Sequence, residues 1–390
     1  MLNIHFFLSS MKNESRVEKE VKTLTSKNIF DEVIVFCYWK KGLKKNEKIS
    51  PKAKIYRVAL PSDTTKRRGF LKRVLAFYSL YLFVKKFISF CKENNPTTIS
   101  VHNPILMPFA YHASKKNKAK LIYVPHELEI ERTGLNGVLK RVTKFIEKKY
   151  IYKFNGMTVV CEPIKEWYKD YYKIKGIGVV PNIPYHPFIG SQIKKTKLFR
   201  DEFNISKEHI IFIYQGILSP GRGIKDLLLT FQNTKKDRHL VLMGYGELED
   251  EIIYASKNIE NIHFKPAVKP SEILNYTSSA DVGLFFNSRE MSLSYKYSMP
   301  NKFFEYAVGN LFIAVSSNFI EQTRVLKDNC LGTSIDPNIE SLTNFVNSIT
   351  LKDIATNLQE SIEYRKHVSW SNNEGIIEDV YKNELILETL

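Results

Sequence analysis

The stretch Ser298-Met299-Pro300-Asn301-Lys302-Phe303-Phe304-Glu305-Tyr306-Ala307 decides how the rest of the chain is read. Pro300 suits the first turn of a helix, where its missing N–H costs nothing, and Ser298 stands where a side chain caps orphan donors. Glu305 then falls among Phe303, Phe304, Tyr306 and Ala307, an expensive place for an unpaired carboxylate. It must either turn to the polar side of the helix or find a hydroxyl-rich partner. The helix follows the apolar run Val282-Gly283-Leu284-Phe285-Phe286, which reads as a buried strand. Its start would therefore lie at the carboxyl edge of a sheet, where open α/β folds bind ligands and helix N-termini hold phosphates.

Working outward, the same alternation recurs. Strands are expected at Leu2–Leu8, Val33–Cys37, Ile55–Val58, Thr98–Val101, Leu121–Val124, Met157–Val160 and Ile177–Val180. A second series is expected at Ile210–Gln215, Leu240–Met243, Ile262–Phe264, Val282–Phe286, Phe312–Val315 and Gly332–Ile335. Segments with helical spacing separate most of them, the signature of βαβ units and parallel sheets. The three prolines Pro181, Pro184 and Pro187 interrupt the pattern. The fold class is α/β, two Rossmann-like doubly wound parallel-sheet domains facing a central cleft. The expected division is an N-terminal domain over 1–185, a linker over 186–200, a C-terminal domain over 201–365 and a helical segment over 366–390. That last segment is expected to cross back to the first domain.

A chain of 390 residues with 43% apolar composition has material for two such cores. The cysteines Cys37, Cys91, Cys161 and Cys330 are scattered without metal or disulfide spacing, as suits a reducing cytoplasm. No structural metal is expected. The start, Met1-Leu2-Asn3-Ile4-His5-Phe6-Phe7-Leu8, reads as a strand rather than a signal peptide. No window reaches the roughly 18 apolar residues that span a bilayer, the nearest being Val74–Val84. A net charge of +17 favours nucleic acid, an anionic membrane surface or phosphorylated ligands.

The segment 66–92 interleaves Lys66, Arg67, Arg68, Lys72, Arg73, Lys85, Lys86 and Lys92 with Phe70, Phe77, Tyr78, Tyr81, Phe83, Phe87 and Phe90. One reading is a core-facing helix with a solvated basic face, and the other is an element that docks on anionic lipid. The chain carries no recognisable nucleic-acid module, so nucleic acid is not expected as a partner.

Four consecutive strand ends of the second series carry glycine-rich or polar turns. Tyr214-Gln215-Gly216-Ile217-Leu218-Ser219-Pro220-Gly221-Arg222-Gly223 lets backbone approach a ligand and offers the Arg222 fork to a phosphate. Met243-Gly244-Tyr245-Gly246-Glu247 and the loop Pro266-Ala267-Val268-Lys269-Pro270 follow, and then the opening stretch. In the first series, His102-Asn103, His126-Glu127 and Cys161-Glu162 each end a strand and are candidates for one rim. Glu127 stands where it would orient His126 or shift its pKa. Ser9, Ser10, Ser15 and Arg16 follow the first strand and would open onto the same side.

In this order the motifs resemble those of the retaining glycosyltransferases of the family 4 type, which have the GT-B architecture. The resemblance is carried by Gly216…Arg222-Gly223, Gly244-Tyr245-Gly246 and Pro300-Asn301-Lys302-Phe303-Phe304-Glu305-Tyr306, with Ser15-Arg16-Val17 and Pro125-His126-Glu127-Leu128 as N-terminal markers. It implies a nucleotide diphosphate sugar as donor, held by the C-terminal domain. Glu305 would accept hydrogen bonds from the ribose hydroxyls, and Arg222 would hold the diphosphate. Ala267 and Val268 would read the base through the backbone, while Gly216, Gly244, Ser298, Asn301 and Lys302 complete the donor site.

His126, Glu127 and Arg222 are the expected catalytic residues, and Ser15, Arg16, His102 and Asn103 lie on the acceptor side. Neither a cofactor nor a metal is implied, since fixed cations stabilise the departing diphosphate. The acceptor would be a growing glycan, lipid-linked at the cell surface, and the enzyme would work in the cytoplasm at the inner face of the plasma membrane. Peripheral contact would run through 66–92.

Two positions depart from the family pattern. Tyr297 stands where many members carry the first glutamate of a Glu-x7-Glu motif, and Ile217 where an arginine often follows the glycine. Arg289 or Lys302 would compensate for the latter. The alternatives are a nucleotide-sugar epimerase of the same fold and a non-catalytic partner subunit that binds glycan or lipid.

Overall fold

The computed structural model describes all residues except 13, 62–69, 186–192 and 383, and only the backbone of 70–73. The basic residues Lys66, Arg67 and Arg68, the side chains of Lys72 and Arg73, and the first half of the expected linker lie outside the described residues. Two compact units emerge: Met1–Pro181 with Asn373–Leu390, and Asn182–Asn372.

In the first unit, β1 (Leu2–Phe6), β2 (Glu32–Tyr38), β3 (Asn46–Ser50), β4 (Ala53–Val58), β5 (Thr98–Val101), β6 (Lys120–Tyr123), β7 (Gly156–Val159) and β9 (Ile177–Val179) form one sheet. Its order is β3-β4-β2-β1-β5-β6-β7-β9. The short β8 (Ile174–Lys175) pairs instead with Glu388–Thr389. All neighbours in the large sheet run parallel except the edge strand β3, which is antiparallel to β4. Composition concealed β3: Asn46-Glu47-Lys48-Ile49-Ser50 has one apolar residue and reads as loop. Polar residues of this kind are what an edge strand tolerates.

Successive side chains of a strand point to opposite faces, and β1 shows both. Phe6 faces α2 (Phe70–Asn94), where Phe87 stacks on it at a centroid distance of 3.5 Å. Asn3 faces the other layer, formed by α1 (Ser15–Ser26) and the last helix, Glu374–Lys382. There Asn3 bonds Ser100, and Ser100 lies 2.9 Å from the Tyr381 hydroxyl. On the α2 side, α3 (Met107–Asn117) packs between α2 and α4 (Gly137–Tyr150), and α5 (Glu162–Tyr172) follows.

By length and composition Val74–Asn94 is long and apolar enough to cross a membrane, contrary to the sequence expectation. Its C-terminal half is nevertheless core: Phe83, Phe87 and Cys91 are fully buried. The expectation of a core-facing helix therefore holds for that half, while Phe77, Tyr78 and Tyr81 nearer the N-terminus are exposed.

In the second unit, β10 (Ile210–Ile217), β11 (Arg238–Tyr245), β12 (Ile262–Pro266), β13 (Val282–Phe285), β14 (Phe312–Ser316) and β15 (Gly332–Ile335) pair in the order β12-β11-β10-β13-β14-β15, all parallel. That is the doubly wound order, in which the winding reverses between the first and fourth strands. Its core joins Phe212, Leu240, Leu242, Val282 and Leu284 to Leu227, Phe231 and Ile252 on the helices. Every strand expected from sequence is present, with ends shifted by a few residues at most. In both units the winding reverses between two central strands, β10 and β13 in one and β1 and β5 in the other, and folds of this kind open a crevice at the carboxyl ends of such strands.

Candidate functional site

The second unit builds its site on the reversal point. Gly283 of β13 leaves room for Tyr306, because a Cβ there would stand 2.3 Å from the tyrosine ring. The Tyr306 hydroxyl accepts the Gln215 N–H at 3.1 Å and donates to the Ile213 carbonyl at 3.3 Å. These bonds pin the helix Asn301–Val308 to the carboxyl half of β10. Glu305, one residue earlier, is thereby held against the strand end. The Gln215 carboxamide donates to Glu305 Oε2 at 2.6 Å and accepts from the Thr277 hydroxyl at 2.8 Å. One partner of the half-buried Glu305 is thus a side-chain amide, a kind of partner that the sequence did not suggest.

The cations sit beside it. Lys302 Nζ lies 3.5 Å from the centroid of the buried Tyr214 ring and 4.7 Å from that of Phe285. Burial drives its pKa well below the ordinary lysine value, the Arg222 charge pushes it further down, and Glu305 opposes both. Lys302 forms no ion pair among the described residues. Arg222 is exposed and stacks over Tyr295 at 5.2 Å from its centroid. The site therefore concentrates positive charge that one carboxylate only partly offsets, and an anionic ligand would relieve it.

The glycine turn shapes the approach. Gly216 is exposed with φ +122°, and a Cβ there would meet nothing within 4 Å. Gly223, at φ +75°, comes so close to the strand end that a Cβ would stand 1.8 Å from the Phe286 carbonyl oxygen. It immediately precedes the helix Ile224–Gln232. Asn287 Nδ2 ties the turn to β13 through the Gly221 carbonyl at 3.1 Å, and Asp226 accepts the Ser288 N–H and hydroxyl. Arg289, exposed, lines a surface pocket on this turn with Ser219, Gly221 and Asn287.

The remaining donor-side residues lie at neighbouring strand ends. Gly244 lies against Gly216, where a Cβ would stand 1.8 Å from the Gly216 oxygen. Ala267 and Val268 follow β12, exposed and half-buried respectively. Asn301 is the first residue of its helix, and Pro300 lies just outside it as the N-cap. Ser298 does not cap that helix: its hydroxyl donates backward to the Tyr295 carbonyl at 2.8 Å, closing the preceding short helix. Tyr297 is half-buried at the end of the same short helix.

In the first unit, three histidines form a chain at the reversal point. His5 Nδ1 lies 2.9 Å from His102 Nε2, and His102 Nδ1 lies 2.9 Å from His126 Nε2. His5 and His102 are fully buried, and Phe7 packs on both His102 and His126. Burial pulls the His5 and His126 pKa values to about 3 and the His102 value well below its ordinary range. The trio is therefore neutral near pH 7, and each ring sets the tautomer of the next. His102 lies inside the domain, between His5 and His126. The His126 contact found here is to His102 rather than to the neighbouring Glu127 that the sequence suggested as its orienting group. Glu127 instead acts on Glu129, whose pKa burial raises to about 8 with Glu127 adding to the rise.

Arg16, expected on an open rim, is 3% exposed beside Glu20, and its guanidinium nitrogens find no hydrogen-bond partner among the described residues. Ser15 is the first residue of α1. Ser10 is buried, its carbonyl held by Arg57. Asn103 accepts the Leu8 N–H at 3.0 Å. Among the described residues no group of three or more His, Cys, Asp or Glu converges as a metal site.

Gln215, Thr277, Tyr214 and His5 escaped the sequence reading. A buried glutamine at a strand end becomes intelligible only once its carboxylate partner, ninety residues on, is known. For His5 the signal was present, since Asn3 and His5 alternate on one face of a buried strand.

Residues 23–183 match the model of the family described as Glycosyltransferase Family 4. No curated protein sequence matches the chain. Among solved structures, HepE of Anabaena in complex with UDP-glucose is similar at a TM-score of 0.70 and 10% identity, over 98% of this chain and 100% of that one. A glycosyltransferase from Rickettsia africae is similar at 0.70 and 14% identity, over 98% of both chains. WaaG, a glycosyltransferase involved in lipopolysaccharide biosynthesis, is similar at 0.60 and 11%, over 99% of this chain and 98% of that one. At these identities the likeness is one of fold. The architecture is GT-B, and the family 4 resemblance read from the motifs is supported by the match across the first domain.

Proposed function

We propose that this chain is a retaining glycosyltransferase that moves a hexose-like sugar from a nucleotide diphosphate sugar onto a growing, lipid-linked cell-surface glycan. The observation that carries the reading is the Gln215-held Glu305 beside Lys302 and Arg222 at the crevice of a doubly wound sheet. A carboxylate fixed in this way suits the paired hydroxyls of a ribose, and the cations suit a diphosphate. The UDP-glucose bound by HepE, which shares the fold, supports a ligand of this class.

In this reading the bond between the anomeric carbon and the diphosphate oxygen breaks, and the acceptor hydroxyl bonds that carbon on the same face as its proton passes to the departing diphosphate. Arg222 and Lys302 neutralise the charge that develops on the leaving diphosphate, so that no metal is required. Backbone at Gly216 and Gly244 admits the phosphates, Ser298 and Asn301 add donors, and Ala267 and Val268 read the base. The first domain contributes the acceptor side through Ser15 and Asn103, with His126 and Glu127 as its reacting groups, while the buried Arg16 and His102 stand behind that side. Lys302, over Tyr214 of the same strand end, supplies the cation that Ile217 lacks. In the same reading the enzyme works in the cytoplasm at the inner face of the plasma membrane, with peripheral contact through 66–92.

Tyr297, in the place of the first motif glutamate, favours the non-catalytic partner subunit as the second reading. Product analysis with sugar nucleotides and glycan acceptors separates the two. Nucleotide release coupled to glycan extension, abolished by Glu305→Ala, supports the transferase. Binding without release under every acceptor condition supports the partner subunit.

A further inference from the structure

Helix α4 of the first unit is inside out. Its inward side carries Thr143 and Glu147, both buried, with Glu147 fully so. Its outward side carries Val138, Leu139, Val142 and Phe145, of which Val138 is 74% and Phe145 64% exposed. An ordinary surface helix has the reverse arrangement. The inward carboxylate is secured by Tyr123, Tyr168 and Tyr172, whose hydroxyls donate to it at 2.6, 2.8 and 2.7 Å. This rotation is therefore fixed by three hydrogen bonds, and the helix cannot roll to bury its valines without stranding a charge.

Positions 138, 142 and 145 follow the i, i+4, i+7 spacing of a single helical stripe. Arg141, Lys144 and Lys148 flank the stripe, and Lys149 stands at its end, all exposed. The only acid on the helix is the buried Glu147. Beside it, Lys144 Nζ lies 5.0 Å from the Tyr171 ring centroid, and Trp167 stacks on Tyr171 at 4.5 Å. An apolar stripe with a cationic flank and an aromatic border has the composition of an element that lies in a membrane interface.

We infer that the outward face of α4 docks on an anionic lipid surface, with Val138, Val142 and Phe145 entering the acyl boundary and Arg141, Lys144, Lys148 and Lys149 meeting headgroup phosphates. A second copy of the chain is a poorer occupant, because it would bring the same cations face to face. The inference deepens the membrane contact proposed through 66–92 and adds a second element in the same helical layer, where α3 lies between α2 and α4. It stands independently of the transferase chemistry.

The test is co-sedimentation of the full chain with phosphatidylcholine vesicles, with and without phosphatidylglycerol. Wild type is expected to bind the phosphatidylglycerol vesicles and to release them at high salt. The double substitution Val142→Asp with Phe145→Asp is expected to lower binding roughly tenfold or more with little change in melting temperature, since both positions lie on the exposed side of the helix. The pair Phe77→Ser with Tyr81→Ser examines 66–92 separately. Undiminished binding in the α4 variant overturns the inference, including when the α2 variant alone loses binding. So does an α4 variant that turns a wild-type dimer into a monomer. Independently of any α4 variant, tryptophan fluorescence should be quenched by brominated phosphatidylglycerol in wild type and much less in Trp167→Phe. Equal quenching in the two proteins also overturns it.

Discussion

Gln215 donates to Glu305 across 2.6 Å, joining the end of the central strand β10 to a helix that begins after β13. The bond fixes the carboxylate on the crevice side of the winding reversal. Because Thr277 holds the other end of the Gln215 amide, the carboxylate is oriented before any ligand arrives. Replacing Gln215 with Leu should leave the sheet intact while removing a hydrogen bond to a charged group, worth about 1.5–3 kcal/mol. The expected result is a roughly 10- to 100-fold fall in kcat/KM for the donor sugar nucleotide, measured by nucleotide release. An unchanged value would mean that Glu305 needs no support from β10.

Lys302 rests on Tyr214 with its charge disfavoured by burial and by Arg222. A diphosphate in the crevice would restore its protonation, so the lysine should matter most as negative charge develops. Lys302→Met is expected to lower kcat by about 10²–10³-fold, the scale of losing one preorganised donor. Finding kcat/KM at the wild-type level would remove Lys302 from that role.

Gly223 has no room for a side chain, with the Phe286 carbonyl oxygen 1.8 Å from where a Cβ would stand and φ at +75°. Gly223→Ala should destabilise the second unit by about 2–4 kcal/mol, as backbone and steric strain add. Thermal unfolding should show a correspondingly lower melting temperature. A variant melting with wild type would mean that the turn relaxes freely.

Five of the described histidines resist protonation in the folded chain. His5 and His126 are held to about 3 and His239 and His263 to about 4, all chiefly by burial, and His102 lies well below its ordinary value. Between the ordinary value of 6.5 and these folded values, the unfolded chain binds protons that the folded chain refuses. The contribution of these histidines to stability is therefore full above about pH 6.5 and is lost as the pH drops toward 4, outweighing Glu129, whose raised pKa of about 8 works in the opposite direction. Melting temperatures measured across this range should decline steeply, and the double substitution His239→Gln with His263→Gln should flatten the slope. A flat profile from neutral pH down to about 4.5 would contradict these protonation states.

Both sheets were legible because parallel strands buried on two faces leave near-continuous apolar runs, as at Ile210–Tyr214 and Val282–Phe286. The glycines betrayed the strand ends for a related reason: Gly216, Gly223 and Gly244 stand where backbone conformation or close approach excludes a side chain. The polar edge strand β3 was invisible because its stability comes from pairing with β4, which local composition does not encode. The contacts that organise the site were also hidden. Gln215 with Glu305 and His5 with His102 are separated by 90 and 97 residues, so only the register of the folded sheet brings them together. Ser298 was misjudged because it ends one short helix instead of beginning the next.

The central claim is that the crevice beside Glu305 holds a nucleotide diphosphate sugar. Its most direct test is a thermal-shift panel of UDP, GDP, ADP and CMP, each with common sugar conjugates, on wild type and Glu305→Ala. The account predicts a rise of roughly 5–10 °C for one base family at about a hundredfold excess over Kd, lost in Glu305→Ala. No shift in well-folded wild type, or a shift that survives Glu305→Ala, would contradict it.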